Sequence, residues 1–234
     1  MLQSALLVAL LGVLLLGMFS PGISFLGIHP VTPLLFVAYG LGLRLLRDAR
    51  GRPTWEPTMT AETAVDRPDE PAGGGRIRRS LFVQLVVTAA LVIVAGWVLT
   101  RSAESLADRT GLADTLVGGL FTAVCTSLPE LVTSVAAVRR GALTLAVGGI
   151  IGGNAFDTLF AGMADIAYRP GSIYHAAGVQ GGGQAMLIVL SIVMTSVLLL
   201  GLLRRERQGV ANIGFESVLV LLLYVGGLGL LAVM

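Results

Sequence analysis

The stretch Cys125-Thr-Ser-Leu-Pro-Glu130-Leu-Val-Thr-Ser134 places a proline, a carboxylate and four hydroxyls inside one apolar run, residues 113–138. The next run, 143–167, holds Gly148-Gly-Ile-Ile-Gly-Gly-Asn154-Ala-Phe-Asp157. Runs of this length cross a bilayer as helix, which takes about 20 predominantly apolar residues. A charged group at the centre of such a helix costs ~2.5–3.5 kcal/mol even on a lenient insertion scale. Glu130 and Asp157 therefore need a reason to be there, and their neighbours supply one. Thr126 and Ser127 precede Glu130 by four and three residues, so all three share a helical face, which Ser134 continues. Gly153 and Asn154 stand in the same relation to Asp157. Pro129 removes a backbone donor and frees a carbonyl. Carboxylates, hydroxyls, an amide and free carbonyls are the hard oxygen donors that Ca²⁺ and Na⁺ take. The short Arg139-Arg140-Gly141 turn joins the two runs as a hairpin whose polar faces meet near the midplane. The residues by themselves predict a cation site on a helical hairpin.

The rest of the chain fits that setting. Of 234 residues, 55% are hydrophobic and 13% charged, against about 25% charged in soluble domains. Seven apolar runs (2–19, 31–47, 81–100, 113–138, 143–167, 185–203 and 214–233) predict an all-α integral membrane protein of about seven transmembrane helices. A β-barrel would show short alternating segments instead. Water-soluble enzyme classes are excluded. An intramembrane enzyme built on Ser127 is disfavoured, because no histidine or lysine lies in a span to activate it. Cys125 is the one cysteine, so no intrachain disulfide can form.

Every basic residue is arginine. Thirteen fall in the 2/3, 4/5 and 6/7 connections and only Arg101, Arg109 and Arg169 on the other side. The positive-inside rule then places the N-terminus in the cytoplasm and the C-terminus outside. These arginines anchor topology and imply no nucleic-acid partner. Residues 48–80 mix both charge signs with prolines and glycines and read as a cytoplasmic linker. They divide two helices, 1–47, from a five-helix unit, 81–234. Val13-Leu-Leu-Leu-Gly17 recurs as Val197-Leu-Leu-Leu-Gly201, and Tyr39 pairs with Tyr224 at nearly the same offset. Copies five spans apart lie in opposite orientations, the signature of an inverted repeat. Among the remaining polar residues, Asp165 is expected to face water or headgroups near the outer end. His29 and His175 are expected to be inert in outer loops, Thr133 and Ser134 to make interhelical bonds, and Trp97 to be an interfacial anchor.

Cys125-Thr-Ser-Leu-Pro-Glu130 followed by Leu145-Ala-Val-Gly-Gly-Ile-Ile-Gly-Gly-Asn-Ala-Phe-Asp157 resembles the α-repeat of the sodium/calcium exchanger family. That repeat runs G-T-S-L-P-E and then A-x-G-N-x-x-G-S-N-x-x-[ND]. The resemblance is strong over about 113–165 and extends in layout over 81–234. It implies the second half of an inverted-repeat exchanger fold, with helices broken at the ion site. It implies a secondary antiporter that exports Ca²⁺ in exchange for Na⁺ or H⁺ by alternating access, with no cofactor, in a prokaryotic plasma membrane. Glu130 would be the main ligand, Asp157 the second acidic one, Thr126 and Ser127 oxygen donors, and Asn154 the shaper of the helix break. Cys125, Gly149 and Gly153 depart from the pattern. Gly153 replaces a serine and leaves only its carbonyl, which makes proton coupling the natural substitute for sodium. One α-repeat is present, so the chain is expected to be incomplete alone and to need an N-terminal half carrying the other. The alternative is a non-transporting membrane scaffold or regulatory subunit with an exchanger-like fold.

Overall fold

The computed structural model describes residues 1–51, 75–110, 123–176, 182–204 and 214–231. Its helices follow the apolar runs: α1 (Leu2–Phe19), α2 (Val31–Gly51), α3 (Gly75–Thr110), α4 (Ala123–Arg139), α5 (Leu143–Ala167), α6 (Gly183–Arg204) and α7 (Phe215–Leu231). A 3-10 turn, Ile173–His175, lies between α5 and α6. The protein is an all-α membrane protein. Leu2–Phe19, Arg79–Thr110, Leu145–Ala167 and Gly183–Leu203 are each long and apolar enough to cross a bilayer, and α7 is a shorter apolar helix. Most of the stretch read as a linker, and residues 111–122 at the start of the fourth run, lie outside the described residues. Helix takes the margins of the linker stretch, since α2 continues to Gly51 and α3 already begins at Gly75.

Prolines punctuate the chain where the physics allows. Pro21 follows the end of α1, and Pro30 precedes α2. Pro33 sits in the first turn of α2, where the missing N–H would have had no partner. Pro129 lies inside α4, and the helix runs through it. The four glycines of α5 likewise stay helical: Leu143–Ala167 is continuous, and none of Gly148, Gly149, Gly152 or Gly153 has a positive φ. The helix breaks expected at these two places are therefore absent among the described residues. One proline forfeits a single bond, and glycine permits a loosened helix without imposing one.

The chain divides into two compact units, residues 1–59 with 144–234, and residues 60–143. In the first, α1 packs against α2 and α6, and α6 packs against α7. Its core joins Leu7, Leu10 and Leu14 of α1, Val31 and Leu35 of α2, and Ile151, Ala155 and Leu159 of α5. These recur every three or four residues, one face of each helix. Lipid offers no hydrophobic drive for such contacts, so close fit between small and large groups holds the helices together. Gly162 of α5 is the tightest point against α2: a Cβ there would meet Phe36 at 2.9 Å and Leu35 at 3.4 Å.

The second unit contains α3 and α4. The apolar side chains of α3 are exposed along the helix, and the Arg101 guanidinium lies 5.8 Å from the Trp97 ring. The α4 helix closes in a Schellman turn. Ala142 N–H donates to the Ala137 carbonyl and Gly141 N–H to that of Val138, both at 2.9 Å, while Gly141 takes φ 77°. The tight Arg-Arg-Gly turn read from the sequence is thus present.

Gly162→Leu should wedge α5 away from α2. The expected cost is about 1–3 kcal/mol, as for other overpacked sites, read as a lowered melting temperature of the purified protein in detergent. Gly149→Leu, whose added Cβ meets nothing within 4 Å, should be tolerated in the same assay.

Candidate ion site

The α5 helix has two faces. Gly148, Ile151, Gly152, Ala155 and Leu159 fall within about 100° of one another around the helix and point into the first unit. The Gln3 amide of α1 lies against that glycine face, 3.3 Å from a Cβ placed on Gly148 and 3.7 Å from one on Gly152. At 100° per residue, Asp157 falls on the opposite side of the helix, with Gly153 and Asn154 beside it. Asn154 and Asp157 are exposed in their unit, and a Cβ on Gly149 or Gly153 meets nothing within 4 Å. The glycine run therefore does two different things. Gly148 and Gly152 admit a neighbouring helix, whereas Gly149 and Gly153 leave backbone uncovered beside Asp157.

On α4 the other predicted ligands are also outward. Thr126, Ser127 and Glu130 are exposed within the second unit and occupy neighbouring positions on one helical face. Thr126 Oγ1 donates to the Ala123 carbonyl at 3.2 Å. Thr133 Oγ1 donates to the carbonyls of Pro129 and Glu130, at 3.1 and 3.0 Å. Where an interhelical role was expected of Thr133, its hydroxyl bonds back within its own helix. Glu130 and Asp157 belong to different compact units, and each is placed within its own.

Comparison with known proteins bears on the same stretch. The family profile of the sodium/calcium exchanger protein matches residues 80–233. The chain belongs to the sodium/calcium exchanger family. It is similar to the putative antiporter CaxA of Alkalimonas amylolytica, 33% identical over 144 residues, 62% of this chain and 43% of that protein. It is also similar to the sodium/calcium exchanger MaX1 of Methanosarcina acetivorans, 36% identical over 95 residues, 40% of this chain and 27% of that protein. A third relative is the human sodium/potassium/calcium exchanger 5, 30% identical over 84 residues, 36% of this chain and 16% of that protein. The aligned stretches thus span less than half the length of these relatives. No solved structure matches. Membership places the chain among membrane transporters rather than enzymes.

Among the described residues of this exchanger-family chain, the most deeply buried carboxylate is neither Glu130 nor Asp157. Asp165 is 0% exposed, at the end of α5, and it does not face water as its position in the sequence suggested. Three donors from two other segments hold it. Asp165 Oδ2 accepts from the His29 N–H at 2.8 Å and from Thr32 Oγ1 at 2.7 Å, and Oδ1 accepts from the Ile173 N–H at 3.0 Å. Thr32 gives its hydrogen to Asp165, so the Tyr174 hydroxyl, 3.1 Å away, donates to Thr32. Burial raises the Tyr174 phenol above its ordinary value; the Thr32 bond opposes the shift, and the Asp165 charge adds to it. Tyr174 therefore stays a neutral donor.

Both histidines expected to be inert are part of this junction. His29 is 2% exposed. Its Nδ1 accepts from the Val31 N–H at 3.3 Å, so Nε2 carries the proton, 3.2 Å from the Pro21 carbonyl. Its ring stands edge-on to Tyr174, with centroids 5.3 Å apart. His175 Nε2 reaches the Ser20 carbonyl at 2.7 Å. These bonds bring the α1–α2 connection and the α5–α6 connection to the same end of the first unit, as alternating spans require. A signal for Asp165 was present in the sequence. Thr158, Gly162 and Asp165 follow at four- and three-residue steps, continuing the packed face of α5. Depth judged from distance to the end of a run overrode that periodicity.

Asp165→Ala strands three donors in a buried place. A loss on the order of 3 kcal/mol or more is expected, measured as a fall in melting temperature in detergent. Glu130→Gln, exposed in its unit, should shift that temperature far less.

Proposed function

We propose that this chain is the C-terminal part of a cation antiporter that moves Ca²⁺ in exchange for Na⁺ or H⁺ by alternating access. The observation that carries the reading is the two-faced α5. Its small packed face leaves Gly153, Asn154 and Asp157 outward, the positions that the exchanger α-repeat assigns to the ion. Thr126, Ser127 and Glu130 present the matching set on α4. Carboxylate, amide, hydroxyl and carbonyl oxygens are a hard-cation set. Glu130 acts as the main ligand in this reading, and Asp157 as the second. Glycine at 153 takes a hydroxyl away from sodium, which favours H⁺ as the coupling ion.

Sidedness follows from the arginines, with the N-terminus in the cytoplasm, and export as the direction of Ca²⁺ movement is what the resemblance to the exchangers implies. The layout is that of a second exchanger half, in the plasma membrane of a prokaryote. The complementary half, carrying the other α-repeat, comes from sequence beyond this chain or from another polypeptide. A scaffold or regulatory subunit is the second reading, and glycines at 149 and 153 are what favour it.

The test is Ca²⁺ flux into proteoliposomes containing the chain, alone and with a candidate first half, under an imposed Na⁺ or pH gradient. Flux is expected only with both halves, and Glu130→Gln should lower it at least about tenfold, equivalent to ~1.4 kcal/mol. Flux from the chain alone, or flux indifferent to Glu130→Gln, overturns this reading. A chain that binds no Ca²⁺ by calorimetry in the presence of its partner half supports the scaffold instead.

A further inference from the structure

The connection from α1 to α2 reads Ser20-Pro-Gly-Ile-Ser-Phe-Leu-Gly-Ile-His-Pro30. It contains no aspartate, glutamate, lysine or arginine, and neither does any other part of residues 1–43. Connections that run through water are ordinarily polar. The tip of this one is a tight reversal, in which Phe25 and Ile28 exchange backbone hydrogen bonds at 2.9 and 3.1 Å. Leu26 and Gly27 both take positive φ, 55° and 80°. Such turns select asparagine, aspartate or glycine, because a branched apolar side chain is strained there. This chain nevertheless places a leucine at the tip, 83% exposed, beside Phe25 at 76%.

Behind the tip lies a groove of about 640 Å³ walled by Phe25, Leu26, Pro30, Pro33, Phe36 and Val37. Its wall includes Pro33, Phe36 and Val37 of α2, and Leu34, Val37, Leu41 and Leu45 form an apolar stripe exposed along that helix within its unit. The groove is thus continuous, through Val37, with an uncovered apolar stripe.

Many polar groups of the same connection turn the other way. The N–H of His29 goes to Asp165, that of Val31 to the His29 ring, and that of Thr32 to the His29 carbonyl. The N–H of Ile23 goes to the Pro21 carbonyl, and those of Phe25 and Ile28 to each other. Pro21, Pro30 and Pro33 have no N–H to satisfy. The N–H groups of Gly22, Ser24, Leu26 and Gly27 and the exposed Ser24 side chain have no partner among the described residues and are left to water or lipid headgroups. Internal satisfaction of most of the backbone donors, with large apolar side chains outward, suits a boundary between headgroups and hydrocarbon better than open water.

We propose that the 20–30 connection is sunk in the boundary between lipid headgroups and acyl chains, with Phe25 and Leu26 in the acyl region and a lipid acyl chain seated in the groove. Asp165 then has a role independent of ion transport: it is the internal acceptor that lets this connection leave water. The occupant is lipid rather than another protein segment because the groove runs into the uncovered apolar stripe of α2, and because neither groove nor tip offers a charge for a partner to read.

The experiment uses the full chain in lipid nanodiscs, with Trp55→Phe and Trp97→Phe, so that Phe25→Trp supplies the only indole. Its emission is expected to be blue-shifted and insensitive to acrylamide. Replacing the lipid by one brominated on its acyl chains should quench it at least about twofold. Quenching by acrylamide without quenching by brominated lipid overturns the proposal in favour of water. Insensitivity to both overturns it in favour of a covering protein segment. Leu26→Asn supplies an independent sign. Asparagine tolerates positive φ better than leucine, so a water-exposed turn would be unchanged or strengthened by it. A lower melting temperature in nanodiscs is expected, and an unchanged or higher one counts against the acyl chain.

Discussion

Inside a bilayer there is no water to satisfy a polar group, and that constraint organises the described structure. Backbone groups are met within helices wherever the chain crosses. Where it turns back, other parts of the chain must meet them. Asp165 does this at one end of the first unit by accepting from His29, Thr32 and Ile173 together. It thereby ties the end of α5 to two separate connections. The Tyr174–Thr32–Asp165 chain of donors polarises in one direction, which strengthens each bond in a low-dielectric setting. Glu130, by contrast, is exposed within its own unit and has no such cage among the described residues.

The same division runs along α5 itself. A single helix carries a packed face of glycine, alanine and leucine, and an outward face with Asn154 and Asp157. Small residues are needed on both faces for different reasons. On one they admit a neighbouring helix; on the other they leave carbonyls accessible. Four glycines in six residues fit this double demand, because each consecutive pair gives one glycine, 148 or 152, to the packed face and one, 149 or 153, to the open side.

Much of the fold was legible in the sequence because bilayer thickness sets a length that apolar runs must match. Each of the seven runs overlaps a described helix, though α3 extends past its run at both ends and four of the helices are long and apolar enough to span. The family was legible because Thr126 to Glu130 and Asn154 to Asp157 combine rare intramembrane residue types at a fixed spacing. What was not legible has physical causes. Whether Pro129 and the glycines interrupt their helices depends on neighbours, since either residue allows a break without forcing one. Asp165 was misjudged because distance to a run's end says little about burial when a connection folds back over it. His29 and His175 were misjudged for the same reason, as their partners lie more than a hundred residues away in the chain.

The charge-free stretch ahead of Arg44 has a consequence for membrane insertion. An uncharged connection between α1 and α2 can be carried across a bilayer with no ionised group passing through the hydrocarbon. The two helices can therefore enter the membrane together as one hairpin, whatever sequence stands before them, and the first charges of that hairpin, Arg44 and Arg47, lie toward the far end of α2.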